Sequence, residues 1–181
     1  MSSRPFLLAQ GLSAIRIPLA IGACYGTIEG WWWTALALML LSEFSDIADG
    51  LVARRFGVQS AFGAVFDPYC DSISRLIIFF GLVGAGLMPG WLVLVMAVRD
   101  VSVAYIRLGR ERAGLDCSAR ISGKLKAFVQ GGAAVLLVGF SAADLTLPWF
   151  QPLALWTVLT VTVWSLADYT MGLVNGLRGR R

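Results

Sequence analysis

The sequence contains no histidine. That absence removes His-ligated zinc sites, Ser-His-Asp catalysis and a histidine general base in one step. Cysteine is almost as scarce. Cys24, Cys70 and Cys117 have no metal-ligand spacing and are odd in number, so they read as free thiols and not as a disulfide framework. Charge is thin as well: only 14% of residues are Asp, Glu, Lys or Arg, against about 25% in a soluble domain. Any chemistry must be done with Asp, Glu, Lys, Arg, Ser, Tyr or Cys.

What is present is apolar. Hydrophobic residues make up 57% of the chain and the mean hydropathy is +0.73, which marks a membrane protein. A helical span needs about 20 mostly apolar residues, so the 181 residues hold about six spans and little else. The expected fold class is all-α: one polytopic membrane domain over 1–181, with six transmembrane helices and a short N-terminal amphipathic segment. The spans are read at about Ser13–Thr27, Trp31–Arg54, Ser60–Leu87, Pro89–Leu108, Ser122–Phe140 and Pro148–Leu173. Turn signals at Glu29-Gly30, Gly57, Met88-Pro89-Gly90, Gly109 to Gly114 and Pro148 agree with those breaks. Trp31, Trp32, Trp33, Trp91 and Trp149 fall near span ends, as an interfacial aromatic belt requires. The opening stretch lacks a cationic segment leading into an apolar run and a small-residue cleavage site, so the first span is expected to stay and act as its own signal.

Basic residues set the orientation. The stretches 26–33, 84–91 and 140–150 contain no Lys or Arg, while Arg4, Arg16, Arg54, Arg55, the 107–126 segment and Arg178, Arg180 and Arg181 crowd the opposite ends. The positive-inside rule then puts both termini and the 54–57 and 107–126 loops in the cytoplasm.

Charges inside a span are costly, so an intramembrane carboxylate is a functional candidate. Four of them cluster in 26 residues, DIADGLVARRFGVQSAFGAVFDPYCD. Asp46 and Asp49 are three apart near the cytoplasmic end of the second helix; Asp67 and Asp71 are four apart near that of the third. Either spacing puts a pair on one helix face. A short link makes the two helices antiparallel neighbours, so the pairs are expected to face each other at similar depth. Four carboxylates cannot all stay ionised there without cations. Oxygen-only ligands suit Mg²⁺ or Mn²⁺, and two such ions suit phosphate chemistry. Gly50, Ala53 and Gly63 leave room along the same faces for a flat or phosphorylated group; small-residue helix packing is the structural alternative.

The segment reads D-x-x-D-G-x-x-A-R, eight residues, G-x-x-x-D-x-x-x-D, with Asp46, Asp49, Gly50, Ala53, Arg54, Gly63, Asp67 and Asp71 at the fixed positions. It resembles the signature of the CDP-alcohol phosphotransferase family. The resemblance implies that Asp46, Asp49 and Asp67 are metal ligands and that Asp71 is a ligand or the general base for the incoming alcohol. It implies that Gly50, Ala53, Arg54 and Gly63 contact the cytidine and pyrophosphate of a CDP-diacylglycerol donor. The family's N-x-x-T-x-x-R pattern falls on Gln10, Ser13 and Arg16, which makes Ser13 a donor contact. The resemblance further implies two Mg²⁺ or Mn²⁺ ions, a homodimer, contact with membrane lipid through a lateral groove, and no nucleic-acid partner. The expected setting is a bacterial inner membrane, with the active site on the cytoplasmic side.

A second, basic cluster lies between the fourth and fifth spans. Arg110 and Arg112 read as ordinary loop charge, whereas Arg99 and Arg107 sit within or at the end of an apolar helix, eight apart, with Arg99-Asp100 as a candidate ion pair. Lys124 follows Gly123 where the fifth helix begins. Such cations suit a phosphorylated acceptor. The stretch is similar to the phosphatidylglycerophosphate synthase branch, with Arg99-Asp100, Arg107, Gly123-Lys124-Leu125-Lys126 and Gln130 at the matching places; Asp100, Ala127 and Ser72 depart from its pattern. Glycerol 3-phosphate is the first choice of acceptor, an inositol phosphate the second, and an unphosphorylated alcohol or a lipid the rest. Arg75, four after Asp71, reads either as its ion-pair partner or as an acceptor ligand; Glu43, three before Asp46, stands behind the carboxylates; Asp168 has no assigned role. The rival from another class is an ion channel or transporter. It predicts carboxylates spread through the membrane depth, whereas these cluster on one side beside a basic loop. A catalytically dead scaffold is disfavoured by the presence of all four aspartates.

Overall fold

Apolar runs broken by glycine and proline fold as helices joined by tight turns. The computed structural model describes residues 3–56, 61–116 and 120–178, and within them the side chains at 3–10, 12, 46–56, 61, 62 and 64 lie outside the description. Among the described residues the structure is all-helical, with α1 Ser3–Ile28, α2 Trp32–Phe56, α3 Ala61–Gly84, α4 Gly90–Arg112, α5 Ile121–Ala142 and α6 Phe150–Arg178. Gly30, Gly86 and Gly114 adopt positive φ after α1, α3 and α4, a backbone state that costs glycine nothing. Pro89, extended at φ −79° and ψ 143°, stands immediately before α4. The expected turn at Gly57 lies outside the described residues.

Two boundaries differ from expectation. α1 starts at Ser3, so the stretch read as a separate amphipathic segment continues into the first helix without a break. α4 runs through Gly109 to Arg112 and stops only at Gly114, whose positive φ lets its N–H reach the Glu111 carbonyl. A lone glycine in a helix costs about 1 kcal/mol, too little to end it.

The chain divides into two units. Residues Met1–Met88 and Ala134–Thr146 form one; Pro89–Ala133 and Leu147–Arg181 form the other. In the first, α1 packs on both α2 and α3. Gly26 lies against Ala35 and Gly22 against Leu38, so α2 runs antiparallel to α1. Gly81 lies against Cys24 and Gly84 against Ile28, so α3 runs parallel to α1. In the second unit α4 packs on α6, and the first half of α5 runs antiparallel to α6, with Ser122 at Asp168 and Gln130 at Thr162.

The interior mixes large apolar side chains, among them Phe79, Leu82 and Leu92, with small and polar ones. Small and polar groups are buried, among them Ser13, Ala20, Ala23, Ser42, Gln130 and Thr162. Large apolar groups point outward from every helix, including Ile21, Trp33, Phe80, Leu94, Phe128 and Trp156. Such a surface is stable in hydrocarbon and not in water. Among the described residues two helices, α5 and α6, are long and apolar enough to cross a membrane. Asp67, Asp71 and Arg75 interrupt the apolar run of α3, and Arg99, Asp100, Arg107 and the charged end at Arg112 interrupt that of α4.

The α1–α3 contact is close enough to test. A Cβ on Gly81 would stand 2.8 Å from the Cys24 Cα and 3.1 Å from its carbonyl oxygen, and backbone cannot move aside as a side chain can. Gly81→Ala is expected to destabilise the protein by about 1–3 kcal/mol through overpacking. Gly139→Ala, where a Cβ meets nothing within 4 Å, is expected to be neutral or stabilising by up to about 1 kcal/mol. Thermal unfolding of both variants in detergent compares them, and equal stability would deny that α1 and α3 meet backbone to backbone.

Candidate functional site

The parallel register of α1 and α3 matches two short spacings. Ser13 and Arg16 are three apart on α1, and Asp67 and Asp71 are four apart on α3, so each pair lies along one face. Ser13 Oγ donates a 2.8 Å hydrogen bond to Asp67 Oδ1. Arg16 Nη1 lies 3.8 Å from Asp71 Oδ1. Ser13 and Arg16 are both buried. Arg75, one turn beyond Asp71, places Nη2 2.7 Å from the same Asp71 oxygen and Nη1 3.8 Å from Glu43 Oε1 on α2. The result is a cluster in which carboxylates from α2 and α3 alternate with guanidinium groups from α1 and α3. The two guanidinium groups are buried while the Asp71 and Glu43 carboxylates are partly open to solvent, so it is the arginines that need their neighbours.

The structure places several of these residues. Asp67 and Asp71 come together with Ser13 and Arg16. Gly63 is buried in α3, one turn before Asp67. Arg75 forms the ion pair with Asp71 that its spacing allowed. Asp46, Asp49, Gly50, Ala53 and Arg54 lie in the α2 backbone, but their side chains are outside the described residues. Among the described residues no group of three His, Cys, Asp or Glu closes on one point, and two of the four motif carboxylates are not among them.

The second unit holds another charged cluster. Asp100 Oδ1 receives both Arg99 Nη1 at 2.9 Å and Lys126 Nζ at 2.7 Å. Arg99 also bonds Ser165 Oγ and lies over the ring of Tyr169, 5.5 Å from its centroid. One turn of α6 away, Asp168 Oδ2 accepts from Ser122 Oγ and pairs with Arg120 Nε at 2.8 Å, while the Tyr169 hydroxyl accepts the Arg120 backbone N–H at 3.1 Å. Of the basic candidates, Arg99 is buried and multiply held, Arg107 is half-buried, and Lys124 is exposed. Arg110 bonds the Asp116 carbonyl at the surface, as ordinary loop charge does.

Sequence reasoning missed Lys126 and Asp168. Lys126 sits among seven basic residues in its stretch, and nothing in spacing separates the buried lysine from the exposed Lys124 two residues away. Asp168 did carry a signal, a carboxylate inside an apolar helix, but its partner Arg120 lies 48 positions away along the chain.

Comparison with known proteins follows the same lines. The sequence matches the CDP-alcohol phosphatidyltransferase family over residues 6–164. It is 32% identical over 172 residues to the archaetidylinositol phosphate synthase of Methanothermobacter thermautotrophicus, covering 94% of this chain and 83% of that one. It is 31% identical over 134 residues to the CDP-diacylglycerol–glycerol-3-phosphate 3-phosphatidyltransferase of Bacillus subtilis, covering 73% of this chain and 69% of that one. The crystal structure of Mycobacterium tuberculosis phosphatidylinositol phosphate synthase in apo form superposes with a TM-score of 0.64 at 20% identity, over 90% of this chain and 87% of that one. At that identity the likeness is one of fold.

Proposed function

This chain belongs to the CDP-alcohol phosphatidyltransferase family, and from that premise we propose that it transfers a phosphatidyl group from CDP-diacylglycerol to glycerol 3-phosphate, releasing CMP. The observation that carries the site assignment is the pair Asp67 and Asp71, one turn apart on α3, with Ser13 and Arg16 of α1 set against them. The chemistry of this donor set fits a hard divalent ion. Its described members are carboxylate oxygens with a hydroxyl beside them, and Asp71 already gathers the positive charge of two arginines. Asp46, Asp49, Asp67 and Asp71 would hold Mg²⁺ or Mn²⁺, in our reading two ions. Bound there, the metal supplies charge neutralisation for the diphosphate and the departing CMP.

The chain's own residues do the remainder. Ser13 fixes the Asp67 carboxylate by donating to one oxygen, which orients the other. Gly50, Ala53, Arg54 and Gly63 accommodate cytidine and diphosphate. Arg99, Arg107 and Lys124 bind the acceptor's phosphate, Arg99 being fixed by Asp100, Ser165 and Tyr169. Asp71 takes the proton of the acceptor hydroxyl as its oxygen attacks the phosphorus bearing diacylglycerol. The new P–O bond forms as the bond to the CMP phosphate breaks, so no covalent enzyme intermediate arises. We further read the protein as one domain of six spans in a bacterial inner membrane, both termini cytoplasmic, working as a homodimer. The apolar outward faces of all six helices support the membrane embedding in this reading.

A second acceptor has an observation of its own: a relative covering most of this chain is named for an inositol phosphate lipid. CMP release by purified protein in detergent, with Mg²⁺ or Mn²⁺ and CDP-diacylglycerol, distinguishes the two. Glycerol 3-phosphate is expected to support turnover. Release with inositol phosphate alone transfers the assignment to that acceptor, and release with neither, without CDP-diacylglycerol binding, overturns the transferase reading.

A further inference from the structure

Asp168 is the one carboxylate of α6, and the transfer reaction gives it no part. A charge in an apolar helix is costly, so its place there calls for a return. Its partners are two groups at the start of α5: Arg120 Nε at 2.8 Å and the Ser122 hydroxyl, both on Oδ2. At 37% and 24% exposure, the Arg120 and Asp168 side chains are too open to solvent for their ion pair to add much stability.

Both contacts fall on the first turn of α5. Arg120 directly precedes Ile121, the first residue of that helix, and its carbonyl accepts the N–H groups of Gly123 and Lys124 at 3.1 and 3.3 Å. Its own N–H donates to the hydroxyl of Tyr169, the neighbour of Asp168 in α6. Gly172, one turn beyond Asp168, leaves room for the guanidinium: a Cβ there would stand 2.9 Å from Arg120 Cζ. Backbone and side chain of Arg120 are thus both fixed to α6, and the turn that Arg120 opens carries Lys124. Lys124 itself is exposed, so the place where its ammonium meets a ligand depends on how that turn is held.

We propose that Asp168 is a positioning residue for the acceptor's phosphate: by holding Arg120 and Ser122 it fixes the first turn of α5 and so aims Lys124. Asp168 touches neither substrate nor metal. The proposal rests on the reading of Lys124 as an acceptor ligand.

Charge and positioning predict opposite signs. A carboxylate near a phosphate site repels the ligand, so by Coulomb's law alone neutralising Asp168 tightens acceptor binding; loss of positioning weakens it. Steady-state CMP release by the full chain in detergent separates the two, run with CDP-diacylglycerol and glycerol 3-phosphate, or with inositol phosphate should that be the acceptor that supports turnover. Asp168→Asn is expected to raise the acceptor KM roughly tenfold, the factor for loss of one hydrogen bond to a charged group, with kcat and the KM for CDP-diacylglycerol within about twofold of native. An unchanged or lowered acceptor KM overturns the proposal, as does an equal rise in both KM values, which a merely structural role would produce. In a Lys124→Ala background there is no ammonium to aim, so the same Asp168 change is expected to shift the acceptor KM by less than about twofold. A full-sized shift there as well overturns the proposal. Should Asp168→Asn not fold, Ser122→Ala, which removes one tie and no charge, enters the same two-background comparison with the same reading of outcomes, its expected rise being about threefold. Lys124→Ala by itself is the separate control. If its acceptor KM equals the native value, or if the native chain turns over with neither acceptor, the reading of Lys124 fails and the proposal falls with it. A raised KM in Lys124→Ala beside a native KM in Asp168→Asn keeps that reading and overturns only the role of Asp168.

Discussion

Asp71→Asn is expected to release CMP from CDP-diacylglycerol about 10²–10⁴ times more slowly than the native protein, the range associated with losing a positioned general base. Asparagine is nearly isosteric with aspartate, and its amide oxygen can still accept from Arg75, which now lies 2.7 Å from Asp71 Oδ1. What it loses is the negative charge and with it the capacity to take a proton. Two buried arginines lose the charge they face, so the melting temperature in detergent is expected to fall by several degrees, while turnover collapses by a far larger factor. Asp67→Asn is expected to lose activity by a different route. Its partner is the Ser13 hydroxyl, not a cation, so the loss should be partly recovered by raising Mg²⁺ or Mn²⁺. Asp71→Asn should show no such recovery at any metal concentration, because a missing base is not replaced by more cation. Full turnover by Asp71→Asn would refute its assignment as base; recovery by metal would move it to the ligand set alone.

The largest expected loss of stability lies elsewhere, at Asp100. One oxygen of this carboxylate serves two cations, Arg99 at 2.9 Å and Lys126 at 2.7 Å, and the exposures of Asp100 and Lys126 are 7% and 5%. Asp100→Ala leaves a buried ammonium without its counter-ion and strips Arg99 of one of its three described contacts. Removing one partner of a buried ion pair costs about 3–5 kcal/mol, which for a chain of this size lowers the melting temperature by roughly 6–20 °C. The cause can be isolated. Asp100→Ala with Lys126→Met replaces the stranded charge by an apolar chain of similar length and is expected to be more stable than Asp100→Ala alone. Arg110→Ala, which loses only an exposed bond to the Asp116 carbonyl, is expected to change stability by no more than about 0.5 kcal/mol. A melting temperature for Asp100→Ala within a degree or two of native would mean that water reaches Lys126 and that the pair is solvated.

Local physics was legible in the amino-acid order. Six apolar runs, four of whose breaks fall at Gly30, Pro89, Gly114 and Pro148, became the six helices of the described residues, because turn chemistry and helix length act over a few residues. The intervals between Asp67 and Asp71, and between Ser13 and Arg16, put each pair on one face by helix periodicity alone. The absence of histidine removed imidazole chemistry before any fold was known, and the clustered aspartates pointed to carboxylates. Only the tertiary structure decided which groups meet. Ser13 reaches Asp67 across 54 positions because α1 and α3 run parallel with small residues between them. Arg75 lies between Asp71 and Glu43, Lys126 goes inside while Lys124 stays out, and Asp168 finds Arg120. A periodic pattern says which face a side chain occupies; the partner that face receives depends on helix register and on how closely glycine and alanine let two backbones approach, and neither is a property of any one segment.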